Sequence, residues 1–406
     1  MKQRQRNDGV ARRLWILGLL PWVAESVLAQ YVPDYVPPAM LFPPHRAGKI
    51  RWSGIDFAPR ASASVVFSDN LIPKSPQRMN DLIWSLSPGL AVSVGGPSEE
   101  GVKEVVLDYQ PTFNLYTDHA QFNAVSHAAS LRAVFPTGRT RISLEQGITS
   151  SMQAPLGATS YDRYTSYPGR LGIGYELSEK TALAGSAYLS GSQWDNARYV
   201  SYLDLGGEAW AYWKGLPRVT LGLGLAGGTI LIENGDEQSY QRLQTGADYT
   251  YSDRVSLGIT VGSERRTFAK AASARYGLIF SVRSTYRPAD RTDILLDAYR
   301  RETPSLWYAE GNYVVTGASV AVRQQLWDKW AVTLSGGYNH LAFTTGGGVS
   351  SIDRSDNYFV IRPEVELRLT PNWRFKLFHQ YHLNGSTQTY YQYDANIIGL
   401  EAAWQL

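Results

Sequence analysis

Cysteine is missing from all 406 residues, and methionine occurs only four times. Without cysteine there is no disulfide framework, no thiolate zinc site and no cysteine nucleophile. Long apolar runs are also lacking. A mean hydropathy of −0.26 excludes a bundle of membrane helices, each of which needs about 20 apolar residues. No glycine-rich phosphate loop lies between a strand and a helix and no basic stripe runs along the chain, so nucleotide and nucleic-acid roles drop out. The six histidines carry no nucleophile elbow or spaced acidic partner. His379 and His382, three apart in a strand, fall on opposite faces and make a poor metal pair. No catalytic, cofactor-binding or metal-binding residue is therefore assigned, and the chain is not read as an enzyme.

What the chain does hold is aromatic and small: 26 Tyr, 12 Trp and 37 Gly, with charged residues at only 18%. A transmembrane β-barrel combines such a composition with soluble-looking hydropathy, because lipid-facing and lumen-facing residues alternate.

Residues 1–29 read as a cleaved signal peptide. Lys2, Arg4, Arg6, Arg12 and Arg13 precede the apolar run 14–20, and Val27-Leu28-Ala29 offers small residues for cleavage. The segment carries five Lys/Arg and two Asp/Glu. Its removal takes 39 and 36 to 34 and 34, and the formal charge of +3 to zero. Residues 30–54 form a periplasmic lead-in with five prolines, Pro33, Pro37, Pro38, Pro43 and Pro44, expected to be extended and partly polyproline II. Residues 55–406 make the barrel.

Period-two alternation dominates that region. Trp84, Leu86, Pro88, Leu90, Val92 and Val94 share one face, with serine, glycine and alanine on the other; Leu221, Leu223 and Leu225 alternate with Gly222 and Gly224. The spacing predicts an all-β fold: a transmembrane antiparallel barrel of about 18 strands, from 56–67 and 82–95 through to 373–384 and 394–406, with 16 as the alternative count. Short turns such as Pro136-Thr137-Gly138-Arg139 and Thr370-Pro371-Asn372 alternate with longer loops such as 153–166, 303–312 and 345–356, as in barrels with tight periplasmic turns. Trp213, Tyr251, Tyr286, Trp327, Trp330 and Trp373 sit beside the short turns, where an interfacial girdle belongs. A second aromatic cluster, which includes Tyr164, Trp194, Tyr199, Trp307 and Tyr391, falls at the long-loop end. These features place the protein in the bacterial outer membrane, with lipid as its first partner.

Eighteen strands spaced about 4.8 Å apart and tilted about 40° close to a diameter of about 35 Å, too wide for strand side chains alone to fill. The lumen candidates are Tyr202, Asp204, Glu208, Trp210, Tyr212, Arg283, Asp297, Tyr299, Arg323, Glu364, Glu366, Arg368, Arg374 and Lys376. Their mixed charge argues against a one-signed selectivity ring. Their aromatics suit either sugar stacking or packing against a loop folded into the pore.

The opening segment, Phe57-Ala58-Pro59-Arg60 through Val65-Val66-Phe67-Ser68-Asp69-Asn70-Leu71, and the following Trp84-Ser85-Leu86-Ser87-Pro88-Gly89-Leu90 resemble the β-barrel porin 2 family. That resemblance implies an outer-membrane pore through which an exopolysaccharide or capsular polysaccharide leaves the cell, handed over by a periplasmic polysaccharide-export protein. An uptake porin, general or solute-specific, is the alternative expectation, and a surface-exposed adhesive barrel the third.

Overall fold

The structure, a computed structural model, describes residues 50–72, 78–98, 101–153, 161–252, 254–270, 273–308, 311–345 and 353–406. The expected signal peptide, and the lead-in as far as residue 49, lie outside the described residues.

A short strand, β1 (Ile50–Trp52), is followed by eighteen long ones: β2 (Ile55–Ser68), β3 (Asp81–Ser98), β4 (Gly101–Tyr116), β5 (Ala124–Thr137), β6 (Thr140–Gln153), β7 (Asp162–Glu176), β8 (Thr181–Trp194), β9 (Tyr202–Leu216), β10 (Val219–Ile232), β11 (Gln238–Ser252), β12 (Val255–Phe268), β13 (Ser273–Ala289), β14 (Thr292–Pro304), β15 (Gly311–Gln325), β16 (Trp330–Thr345), β17 (Ser355–Arg368), β18 (Trp373–Ser386) and β19 (Tyr393–Gln405). Each long strand pairs antiparallel with its sequence neighbours, and β19 returns to pair with β2. The result is a closed barrel of 18 strands, with β1 appended to β2. Closure leaves no open edge among the eighteen long strands, so each finds its backbone partners on both sides inside the sheet.

Burial explains why these sequences adopt this architecture. In β10, Leu221, Leu223 and Leu225 stand 39, 55 and 61% exposed on the outside, while Gly222 and Gly224 face inward. Comparable rows run around the barrel, from Trp84 and Leu86 through Leu171 and Ile173 to Ile398 and Leu400. A water-soluble monomer rarely exposes a contiguous apolar patch larger than about 300–600 Å², so a continuous belt of this kind faces lipid. Trp213, Tyr251, Tyr286, Trp327, Trp330 and Trp373 are all exposed beside the short turns, as the girdle expectation requires. No described helix is long and apolar enough to cross a membrane; the chain crosses with strands.

At the short-turn end, β1 folds back on β2 through Ser53-Gly54, whose φ angles are +49° and +83°. Positive φ at both central positions is the hairpin geometry that matches strand twist. The last residues of the expected lead-in therefore form a hairpin rather than an extended tail.

The seam between β19 and β2 holds nine residue pairs. Beyond its outer end, Asp69 accepts from the Asn396 backbone N–H at 2.7 Å and from its side-chain amide at 3.0 Å. Asn70 donates to the Asp394 carbonyl at 2.8 Å, and Arg78 bridges Asp69 and Asp394. Asp69-Asn70 thus clasps the first barrel strand to the last.

Candidate functional site

The face opposite the lipid belt carries the polar residues, and curvature brings them together across intervening strands. Arg60 on β2 forms two bonds, of 2.6 and 2.5 Å, to Asp108 on β4. Arg170 on β7 pairs with Glu208 on β9, which also accepts from Ser186. Arg323 on β15 reaches Glu366 on β17 at 3.1 Å. Charges that meet in pairs leave no net field of one sign along the wall.

Glu208, Trp210 and Tyr212 share the inward row of β9, and Asp204, on the same row, accepts from the Tyr240 hydroxyl at 2.8 Å. Tyr202 heads the row but is buried among Val200, Ile230, Ile232 and Tyr240, so it packs the wall rather than lining a passage. Arg283 donates to Asp297 at 3.2 Å. Tyr299 donates to Asn339 at 2.7 Å, and the Arg301 guanidinium lies 4.8 Å from the centre of its ring. Glu364 accepts from Arg362 at 3.1 Å with Lys376 at 4.0 Å, and Arg368 lies 3.8 Å from Glu366. Arg374 donates to Gln405 at 3.2 Å.

Two residues of equal weight escaped the sequence reading, Arg242 and Glu302, although their partners Glu264, Arg266 and Arg275 were read as inward from strand parity. Arg242 and Arg266 grip Glu264 at 2.6 and 2.8 Å, and the Glu264 and Arg266 side chains are almost wholly buried. Arg242 has the same strand parity as Asp248, which was the available signal. Glu302, paired with Arg275 at 3.0 Å and with Asn312 at 2.7 Å, carried no such signal. It belongs by alternation to the lipid row of Leu296, Ala298 and Arg300, and comes inward only because β14 bends.

That bend shapes the lumen. Pairing between β13 and β14 stops at Phe280 and Arg300, although both strands continue outward. The outer ends of β14 and β15 turn in, and Asn312 meets Gln238 of β11 through bonds of 2.9 and 3.0 Å. Arg266 also donates to the Glu302 carbonyl. The following segment, 305–308, reaches inward to the connection between β8 and β9, where Val200 donates to the Leu306 carbonyl at 2.9 Å. Trp307 packs edge-on to Tyr199, which joins Trp194 and Tyr164, and on its other side meets Tyr391 at 6.0 Å between centroids. The Arg354 guanidinium, itself paired with Asp356, lies 3.3 Å from the centre of the Tyr391 ring. Burial raises the pKa of the Tyr391 hydroxyl, against the opposing pull of Arg354.

The second aromatic cluster is consequently not a mirror image of the girdle. Tyr164 and Trp194, paired at the outer ends of β7 and β8, and the loop residues Tyr199, Trp307 and Tyr391 fill the outer mouth and turn their rings toward one another. The outer half of the barrel is packed, with Tyr240, Tyr358, Val360, Asn384 and Asp356 fully buried. Toward the short-turn end, inward residues such as Arg323, Arg368 and Trp210 remain partly exposed.

Inward aromatics repeatedly lie against inward glycines. A Cβ on Gly224 would stand 2.5 Å from the Trp210 ring, one on Gly228 would meet the Tyr240 ring, and one on Gly399 would stand 2.4 Å from the Phe378 ring. Glycine clears the wall so that a large ring can lie down on it.

Among the described residues, no group of three His, Asp or Glu could hold a metal ion. His127 lies outside, bonded to Tyr109, while His382 faces inward against Tyr358 and Gln380. His379 meets Asn396.

The closed sheet, the lipid belt and the polar lumen define an outer-membrane β-barrel of the porin class. Solved structures similar to it include Pseudomonas aeruginosa OccK2 (OpdF), at 12% identity and a TM-score of 0.47 over 86% of this chain and 98% of that one. The same protein is also known in complex with glucuronate. Acinetobacter baumannii OccAB4 is 8% identical, with a TM-score of 0.49 over 87% of this chain and 98% of that one. No protein-family model matches the chain, and no curated protein does so. The resemblance to the β-barrel porin 2 family thus stands on the segments around Asp69-Asn70 and Trp84 alone.

Proposed function

We propose that this barrel is a solute-specific uptake porin, admitting small hydrophilic molecules from outside the cell to the periplasm. The observation that carries the reading is the inward bend of β14 and β15, with Trp307 spanning the outer mouth to Tyr199 and Tyr391. A polymer strand needs a continuous bore along its whole path. A mouth filled by loop aromatics and buried ion pairs favours solutes of the size of a monosaccharide or disaccharide. Export of an exopolysaccharide with a periplasmic partner fits this lumen less well, and nothing in the barrel favours it specifically. The absence of a catalytic constellation in the sequence agrees with a transport role rather than an enzymatic one.

Purified protein in planar bilayers is expected to give small, well-defined conductance steps, and in liposomes to pass monosaccharides but exclude dextrans. Passage of dextran with intact Trp307, or loss of surface polymer on gene deletion with no defect in solute uptake, would overturn the proposal in favour of export.

A further inference from the structure

The Leu221–Leu225 segment combines two functions. Its leucines meet lipid, and its glycines, Gly222 and Gly224, clear the inner wall beneath Trp210 and Tyr212. A Cβ on Gly222 would lie 3.1 Å from Tyr212 and 3.3 Å from Trp210; one on Gly246, a strand further on, would lie 3.5 Å from Trp210. Three glycines from two strands thus make a floor on which both rings rest. The ring planes lie within 7° of each other, with centroids 5.8 Å apart. Both residues are partly exposed, on the half of the barrel below the outer plug.

One polar group in the same part of the wall has unused capacity. Asp248, two residues along the inward row of β11 from Gly246, has no hydrogen-bond or ion-pair partner among the described residues. Arg170, whose side chain is 9% exposed, is held in the wall by Glu208, and its Nε and Nη1 are buried out of reach of the lumen. The wall therefore offers parallel aromatic faces and an idle acceptor, the mixture of apolar surface and few polar groups that marks a ligand site.

We infer that Trp210, Tyr212 and Asp248 form a binding subsite for a neutral pyranose sugar. The C–H face of the sugar ring lies on the aromatic pair and its hydroxyls donate to Asp248. Asp248 has no compensating cation and the charge of Arg170 is met by Glu208, so a sugar carboxylate is disfavoured. The inference rests on the small-solute uptake reading and names its substrate class.

The test is equilibrium dialysis of radiolabelled maltose against the full-length protein in detergent, which reads binding whether or not the pore conducts. Saturable binding is expected. Trp210→Ala should weaken it about tenfold, a loss of about 1.4 kcal/mol, Trp210→Phe should restore most of it, and Asp248→Asn should weaken it without altering the fold. Folding of each variant is checked by its mobility on gels before and after heating. Wild-type affinity in a folded Trp210→Ala variant, or glucuronate bound as tightly as maltose, overturns the subsite. Maltose binding without sugar permeation overturns the uptake reading alone; permeation without saturable binding overturns the subsite alone.

Discussion

At the residue scale, the wall is governed by what each inward side chain finds to pair with. Glu264 lies between Arg242 and Arg266 with almost no exposure. Removing one member of a buried ion cluster leaves the others uncompensated, at a cost of about 3–5 kcal/mol. Glu264→Gln should lower the urea midpoint of unfolding from lipid vesicles accordingly, whereas Glu264→Asp should recover part of it. Gly224→Ala tests the floor under Trp210. Its Cβ would meet the ring at 2.5 Å, so the ring must move, and maltose affinity should fall in dialysis as it does for Trp210→Ala while the barrel still forms. Parity made Trp210, Glu208 and Arg323 legible as inward from the sequence. It also counted Tyr202 as lumen lining, because alternation reports a face and not what packs over it. Glu302 was invisible for the converse reason, since a bend in β14 carries it off its face.

At the scale of elements, the strands and short turns were readable because strand period and turn chemistry are local; the observed Ile55–Ser68 lies within a residue of 56–67 at each end, whereas Asp81–Ser98 outruns 82–95 by three residues at its far end. The outer plug was not. The segment 303–312 is an ordinary polar loop in sequence, and only the loss of β13–β14 pairing beyond Arg300 lets residues 305–308 reach into the lumen. Trp307→Ala should therefore enlarge single-channel conductance and admit larger solutes, with thermal stability nearly unchanged if the barrel wall holds without the plug. The seam is a second element-level device. Asp69→Ala removes two bonds to Asn396 and the pairing with Arg78, and each hydrogen bond lost from a charged acceptor costs about 1.5–3 kcal/mol. The variant should migrate as unfolded on gels at a lower heating temperature than wild type; an unchanged transition would show that β19–β2 pairing closes the barrel unaided. Asp69-Asn70, readable in sequence as ordinary turn chemistry, proves to hold the two ends of the sheet together.

At the scale of the whole molecule, the lipid belt and the plugged mouth set two different conditions. The belt demands apolarity, and Leu223→Arg, in mid-strand at 55% exposure, should cost about 2–4 kcal/mol if it lies near the bilayer midplane. Urea titration in vesicles would register the loss, and a change of less than 0.5 kcal/mol would place Leu223 outside the hydrocarbon. The mouth imposes a direction. The aromatic barrier stands at the long-loop end with Trp210 beneath it, so on the proposed uptake reading a molecule arriving from outside is sorted by girth before its chemistry is sampled. A long oligosaccharide offered from the outer face should therefore leave the channel current undisturbed, while the same compound offered from the short-turn face should interrupt it. The barrel would behave as a one-sided sieve, permissive to a blocker only from behind.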